Sequence, residues 1–139
     1  MGIKSKMNMP PNHKKFDCIH SKCLIRNDSI LEIHIKSNFY FTLAEVKEIT
    51  KNILEKSNGS NCMALIILEE YATCDLEVIK YIASTKSFSP FIAFAIVTNF
   101  LPQVILVTHI INRKPILSTR LYEEKKDAET WLHSIEKTN

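Results

Sequence analysis

The chain has 139 residues, 45% of them hydrophobic and 24% charged, the proportions of one globular domain with enough length for a core. Its only glycines are Gly2 and Gly59, which excludes a glycine-rich phosphate loop and the dinucleotide-binding fingerprint. The net charge of +3 comes from Lys4, Lys6, Lys14 and Lys15, which precede the first acid, Asp17; without them 14 basic residues face 15 acidic ones, and that balance argues against a nucleic-acid surface.

Residues 1–15 are polar, contain Pro10 and Pro11, and lack the apolar run of a secretory signal. They are expected to form a flexible basic tail ahead of a domain over residues 16–139, in a cytoplasmic protein. Lys6 stands where the myristoylation pattern needs a hydroxyl. Cys18, Cys23, Cys62 and Cys74 form no CxxC pair, and a disulfide framework is not expected. Cys18, His20 and Cys23 are metal-ligand residue types. On one strand, however, Cys18 and His20 share a face while Cys23 points away, and no second zinc-spaced pair follows. No metal and no cofactor is expected, and the thiols are read as buried or half-buried.

Phe16 to Ile35 is strand-like. Cys23-Leu24-Ile25 is a short apolar run and Asn27-Asp28-Ser29 is turn chemistry. Ile30, Glu32, His34 and Lys36 alternate with Leu31, Ile33 and Ile35, giving an apolar face and a mostly polar one. The two runs form a hairpin, with Phe16 to His20 as its start or as an extra edge piece. Phe39-Tyr40-Phe41 is an apolar link. Thr42-Leu43-Ala44-Glu45 is a capping box, with Phe41 placed to staple against Val46. The helix it opens runs to about Lys56 on a stripe of Val46, Ile49, Ile53 and Leu54, and Gly59 suits its left-handed end.

Cys62 to Leu68 is a fully apolar strand. The loop Glu69 to Cys74 follows, then a helix from about Asp75 to Ser84 with Leu76, Ile79, Tyr81, Ile82 and Ala83 as its apolar side. The longest charge-poor stretch comes next. Phe91 to Val97 reads as a strand buried on both faces, after the turn-like Ser87-Phe88-Ser89-Pro90. Thr98 and Asn99 suit a turn or cap, and Pro102 suits the first turn of a helix from about Leu101 to Asn112. Pro102, Asn99, Gln103 and His109 at mid-span argue against a membrane helix. Apolar residues spread right round that helix, leaving Gln103, Thr108, His109 and Asn112 for water. It is therefore expected to be either well covered or partly an interface. A short strand from Ile116 to Leu121 follows, and a closing helix from about Glu124 to Lys137 has Ala128, Trp131, Leu132 and Ile135 as its stripe.

The order β-β-α-β-α-β-α-β-α predicts an α/β fold: a mixed sheet that opens on an antiparallel hairpin and continues with parallel strands and right-handed crossovers. Several stretches carry a resemblance: the hairpin with Phe41 to Glu45, Ile79 to Ser84, Ala93 to Val97, Asn112 to Pro115, Thr119 to Tyr122, and Ala128 to Leu132. Together they resemble the SpoIIAA-like fold, shared by STAS domains and the Sec14-type lipid-binding grouping, and most of all a small, largely uncharacterised bacterial STAS-like family. The likeness covers about residues 20 to 135. Anti-sigma antagonists of that fold carry a phosphorylatable serine where a loop meets a helix after a central strand. Here Tyr71-Ala72-Thr73-Cys74-Asp75 stands there; the serine motif is missing, Thr73 is the nearest hydroxyl, and Glu69 and Glu70 disfavour an added phosphate.

Candidate binding residues lie where strands end. Glu69, Glu70, Tyr71, Thr73 and Asp75 follow one predicted parallel strand, where open α/β sheets bind ligands, and Thr98 and Asn99 follow the next. Simpler roles are solvated loop charge for the glutamates and helix capping for Asp75, Thr98 and Asn99. Leu101, Val107 and Ile110 represent the over-apolar helix as a partner or ligand surface. His109 is expected to be partly buried and hydrogen-bonded, and Trp131 to be core. No Ser or Cys has a His and an acid at motif spacing, so no catalytic residue is assigned and an enzyme is not expected. The leading expectation is a regulatory module acting by protein–protein contact, with itself as a homodimer or with another protein. The alternative is a small apolar-ligand or lipid-binding module, which requires a cavity near Phe94, Leu106 and Ile110.

Overall fold

The computed structural model describes residues 14–18, 21–26, 28–56, 62–84 and 91–138. The expectations for residues 1–13, His20, Gly59 and the turn before Phe91 lie outside the described residues, as does the Cys18 side chain. The elements are β1 (Lys14–Cys18), β2 (Ser21–Ile25), β3 (Ile30–Ile35), β4 (Tyr40–Phe41), α1 (Leu43–Lys56), β5 (Cys62–Leu68), β6 (Thr73–Cys74), α2 (Leu76–Ser84), β7 (Phe91–Val97), α3 (Leu101–Asn112), β8 (Ser118–Tyr122) and α4 (Lys125–Thr138).

Six strands form one sheet in the order β1-β2-β3-β5-β7-β8. The first three are antiparallel, and β3, β5, β7 and β8 are parallel, so the expected mixed α/β sheet is what forms. Phe16 belongs to the extra edge strand β1. The parallel strands advance in one direction across the sheet. Right-handed crossovers must then put α1, α2 and α3 on the same face, which leaves α4 to cover the other.

Side-chain alternation divides the core accordingly. Ile33, Ile49, Ile53, Ala64 and Phe94 belong to the cluster under the crossover helices. Ile30, Met63, Leu65, Ala93 and Ala95 face α4, which contributes Ala128 and Leu132. Ala93, Ala95 and Ala128 are fully buried, and their small side chains bring α4 close to the sheet. A register shift between Cys62 and Met63 leaves Ile92 extra in β7. It turns Phe91 to the same face as Phe94, and the two rings pack 5.5 Å apart.

The capping box forms as its spacing predicts. Thr42 N donates to Glu45 Oε1 at 3.0 Å, and Glu45 N donates to Thr42 Oγ1 at 3.3 Å. Several expectations need correction. The link Phe39-Tyr40-Phe41 contains β4, which pairs in parallel with β6 as a separate two-stranded sheet. The last strand starts at Ser118, and Ile116 is exposed. Leu76 is exposed rather than on the buried side of α2, and Trp131 is half-buried, with Arg120 stacked over its ring at 4.9 Å. The alternate face of β3 is not open to water, because α4 covers it: Ile30 is buried and Glu32 is only 5% exposed.

Candidate functional site

Strands β3, β5 and β7 are parallel, so the loops that follow them emerge at one end of the sheet. This gathers most of the candidate residues. Glu69 N donates to Ile35 O, Asn38 N to Glu70 O, and Thr73 N to Phe39 O. Glu69 is exposed, as a solvated loop charge, and its Oε1 also accepts from Ser37 N and Ser37 Oγ, which ties two loops together. Glu70 is exposed. Asp75 takes the N-cap position of α2, its carbonyl accepting from Val78 N and Ile79 N, while its carboxylate accepts from the Tyr40 hydroxyl. The hydrogen bond to Asp75, with the charge of its carboxylate, raises the Tyr40 phenol above its ordinary value.

The centre of this end is Gln103, which the sequence reading gave to water. It is 1% exposed. Its Nε2 donates to Glu69 O at 2.5 Å and to Ala72 O at 3.1 Å. Its Oε1 accepts from the Thr98 hydroxyl, whose oxygen also accepts from Phe100 N at 3.2 Å. Thr98 does not cap α3, whose N-cap is Phe100 with no side-chain cap; its hydroxyl holds the backbone just before the helix and orients Gln103. Asn99 is exposed and is not drawn into this network. Tyr71 has φ of 68°, a conformation that crowds any residue with a Cβ. Its ring packs edge-on against Phe100 at 4.7 Å.

Beneath these loops lies an apolar cavity of about 180 Å³. Phe94 and Ile96 floor it from the sheet, Ile49 and Ile53 wall it from α1, and Leu106 and Ile110 from α3. Ala72, Thr73 and Cys74 close the loop end. Among the described residues only Thr50 and Thr73 bring hydroxyls to the lining, and Thr50 already donates to Val46 O at 2.8 Å. Burial pushes the Cys74 thiol up to about 11, with Asp75 adding to the shift, so the group stays a neutral thiol. Val107 is 3% exposed and also lines the cavity, so it is no outer face of α3. Leu101 at 68% and Ile105 at 51% are the exposed apolar residues of that helix, and His109 is exposed rather than partly buried.

A second cluster, missed in the sequence, lies between α4 and the β2–β3 hairpin. Arg26 reaches Asp28, Glu32 and Glu129 at 2.7, 3.1 and 2.5 Å. Glu32 also meets His34 at 2.5 Å and Lys125 at 3.1 Å, and His133 meets Asp28 at 3.0 Å. Burial alone would raise the Glu32 carboxyl. The hydrogen bonds from His34 and Lys125 outweigh it and hold the group below its ordinary value. Each charged group is partnered within the cluster, which fits a fastening for α4. Among the described residues no group of three or more His, Cys, Asp or Glu is arranged to hold a metal ion. No helix among them is long and apolar enough to cross a membrane.

Fold and site together define an α/β domain with an apolar cavity held between a mixed sheet and its crossover helices. The chain belongs to the family described as Domain of unknown function (DUF7793), whose model matches residues 23–136. Comparison with curated proteins finds no match. A solved structure described as an uncharacterized protein from the DUF3478 family with a SpoIIAA-like fold, from Shewanella loihica PV-4, is similar at 17% identity. The match covers 86% of this chain and 91% of that one, with a TM-score of 0.47. Its description carries the fold name that the sequence motifs suggested.

Proposed function

We propose that this domain is a non-catalytic binding module whose ligand is a small, uncharged, apolar molecule held in the cavity under α1, α2 and α3. The observation that carries this reading is the lining: Phe94, Leu106 and Ile110 converge there and, among the described residues, no charged side chain joins them. A charged ligand would have to be desolvated without a partner. Apolar space of this kind leaves the side chains that line it short of contact partners. A bound molecule recovers that contact energy. The volume is a little above the ~150 Å³ that accepts benzene and below the ~300 Å³ where drug-sized pockets begin. The ligand class is therefore a single ring or a short alkyl chain.

The test is the Tm of the purified protein with saturating toluene or 1-hexanol, beside native mass spectrometry of the protein as isolated. A rise of several degrees with either probe, or a retained mass released on denaturation, supports the reading. Unchanged Tm with both probes and a bare subunit mass would overturn it.

Protein–protein contact, including a homodimer, is a second reading, favoured by the exposure of Leu101, Ile105 and Tyr71 near one end of α3. Ile105→Asp tests it, because the side chain is half exposed and outside the cavity lining. A dimer in native mass spectrometry that this variant converts to monomer supports contact through α3. A monomeric wild-type protein removes the homodimer.

A further inference from the structure

The cavity's loop wall is held differently from its other walls. Ile49, Phe94 and Leu106 come from α1, β7 and α3. Ala72, Thr73 and Cys74 come from a segment whose only strand pairing is the two-residue ladder of β6 with β4. The turn at Glu69 to Ala72 carries Tyr71 in the left-handed region, and the neighbouring loop carries Asn38 there, with φ of 63°. Both conformations are disfavoured for a residue with a Cβ. Backbone hydrogen bonds tie the segment to Ile35, Asn38 and Phe39, and Gln103 adds the tie to α3. One buried carboxamide donates to the carbonyls at both ends of the turn, Glu69 and Ala72, and is itself oriented by Thr98. Leu106 and Val107, one turn further along the same helix, line the cavity.

We infer that residues 69–74 are the gate of the apolar cavity and that Gln103 is the positioning residue that latches it shut. This rests on the proposed ligand-binding reading of the cavity. Local opening of an irregular loop segment is an ordinary motion. Here the opening widens the way in between the roof and α3, and reclosure on Gln103 covers the loop end of the cavity. The gate needs no charge change and no covalent step.

Cys74 gives the gate a reporter, since its thiol lies on the cavity wall while Cys62 and Cys23 are buried elsewhere in the same core. The full chain is labelled with iodoacetamide at mildly alkaline pH, and the modified peptides are followed over time by mass spectrometry. Gln103→Met keeps the length of the side chain and removes both donors. It is expected to label Cys74 about tenfold faster than wild type, the effect of roughly one net hydrogen bond, with Cys62 and Cys23 unchanged. Thr98→Val, which removes the donor to Gln103 Oε1 and the acceptor of Phe100 N but keeps both carboxamide donors, is expected to move Cys74 in the same direction by about threefold, and it serves if Gln103→Met fails to fold. An unchanged Cys74 rate in the folded variants, or a rise shared equally by Cys62, would overturn the gate. Toluene added to wild type separates the two claims. Slower Cys74 labelling supports both. An unaffected rate beside a fast Gln103→Met leaves the latched segment standing and removes the apolar ligand.

Discussion

Arg26 and Glu129 stand 103 residues apart in sequence, yet bring Nη1 and Oε2 to 2.5 Å and so fasten α4 to the β2–β3 hairpin. The same guanidinium reaches Glu32, whose side chain is almost fully buried. Removing one partner of a buried pair leaves its charge uncompensated, and this matters more than the attraction lost. Arg26→Ala is therefore expected to destabilise the domain by about 2–3 kcal/mol, less than the fully buried case because His34 and Lys125 still partner Glu32. Urea unfolding measures it. A loss below about 0.5 kcal/mol would place the cluster among surface ion pairs of little weight.

Acid should undo the same fastening. Burial opposes ionisation of both Asp28 and Glu32, but hydrogen bonds from His133 and His34, with the charges of Arg26 and Lys125, keep both carboxyls below their ordinary values. A depressed carboxyl stabilises the fold above the unfolded-state pKa, about 4 for these groups, and that contribution is lost as pH falls through the lower folded value. Stability from these two groups is expected to be flat from about pH 7 to 5 and to fall below about pH 4.5. Asp28→Asn with Glu32→Gln should flatten this acid limb. An equally steep loss in the double variant would assign acid unfolding to other carboxylates.

The elements most legible in the sequence are those whose information is local. Cys62–Leu68, Phe91–Val97 and Leu101–Asn112 occupy the stretches that apolar runs and turn residues marked. Local pattern could not show what covers a polar residue. Glu32 sits in a clean alternation and reads as solvent-facing. It is buried because α4, the last helix, returns to that face, and its partner Lys125 is 93 residues away. Gln103 reads as the polar side of an apolar helix and is buried because the turn after β5, 31–34 residues earlier, presents two carbonyls to it. One signal was available: a glutamine among Leu101, Val104 and Val107, on a helix with little polar face, suits a buried carboxamide as well as an exposed one. The strands β4 and β6 are two residues each, too short for any period to register. The cavity was anticipated only as a requirement near Phe94, Leu106 and Ile110, because a gap between side chains depends on how three helices settle on the sheet.

The capping box offers a calibrated check on local structure. Thr42 Oγ1 accepts from Glu45 N, and Glu45 Oε1 accepts from Thr42 N. Thr42→Ala is expected to destabilise by about 1 kcal/mol, and Thr42→Ser by far less, since the hydroxyl is retained. Equal losses in the two variants would mean that the threonine methyl, and not the cap, is what α1 needs.

Val107 allows the cavity to be tested through stability alone. Its side chain is buried against the space bounded by Phe94 and Ile110. In a filled core an added methylene forces its neighbours off their rotamers and costs about 1–3 kcal/mol. In front of unfilled apolar space the same methylene is buried without strain and gains about 0.8 kcal/mol. Val107→Ile is thus expected to raise stability in urea and to weaken the toluene-induced rise in Tm, because the added group occupies part of the toluene volume. Val107→Asp is expected to unfold the domain, since it places an unpaired carboxylate against an uncharged lining. A destabilised Val107→Ile would show that the wall is already close-packed at this point and that the cavity does not accept a molecule beside α3.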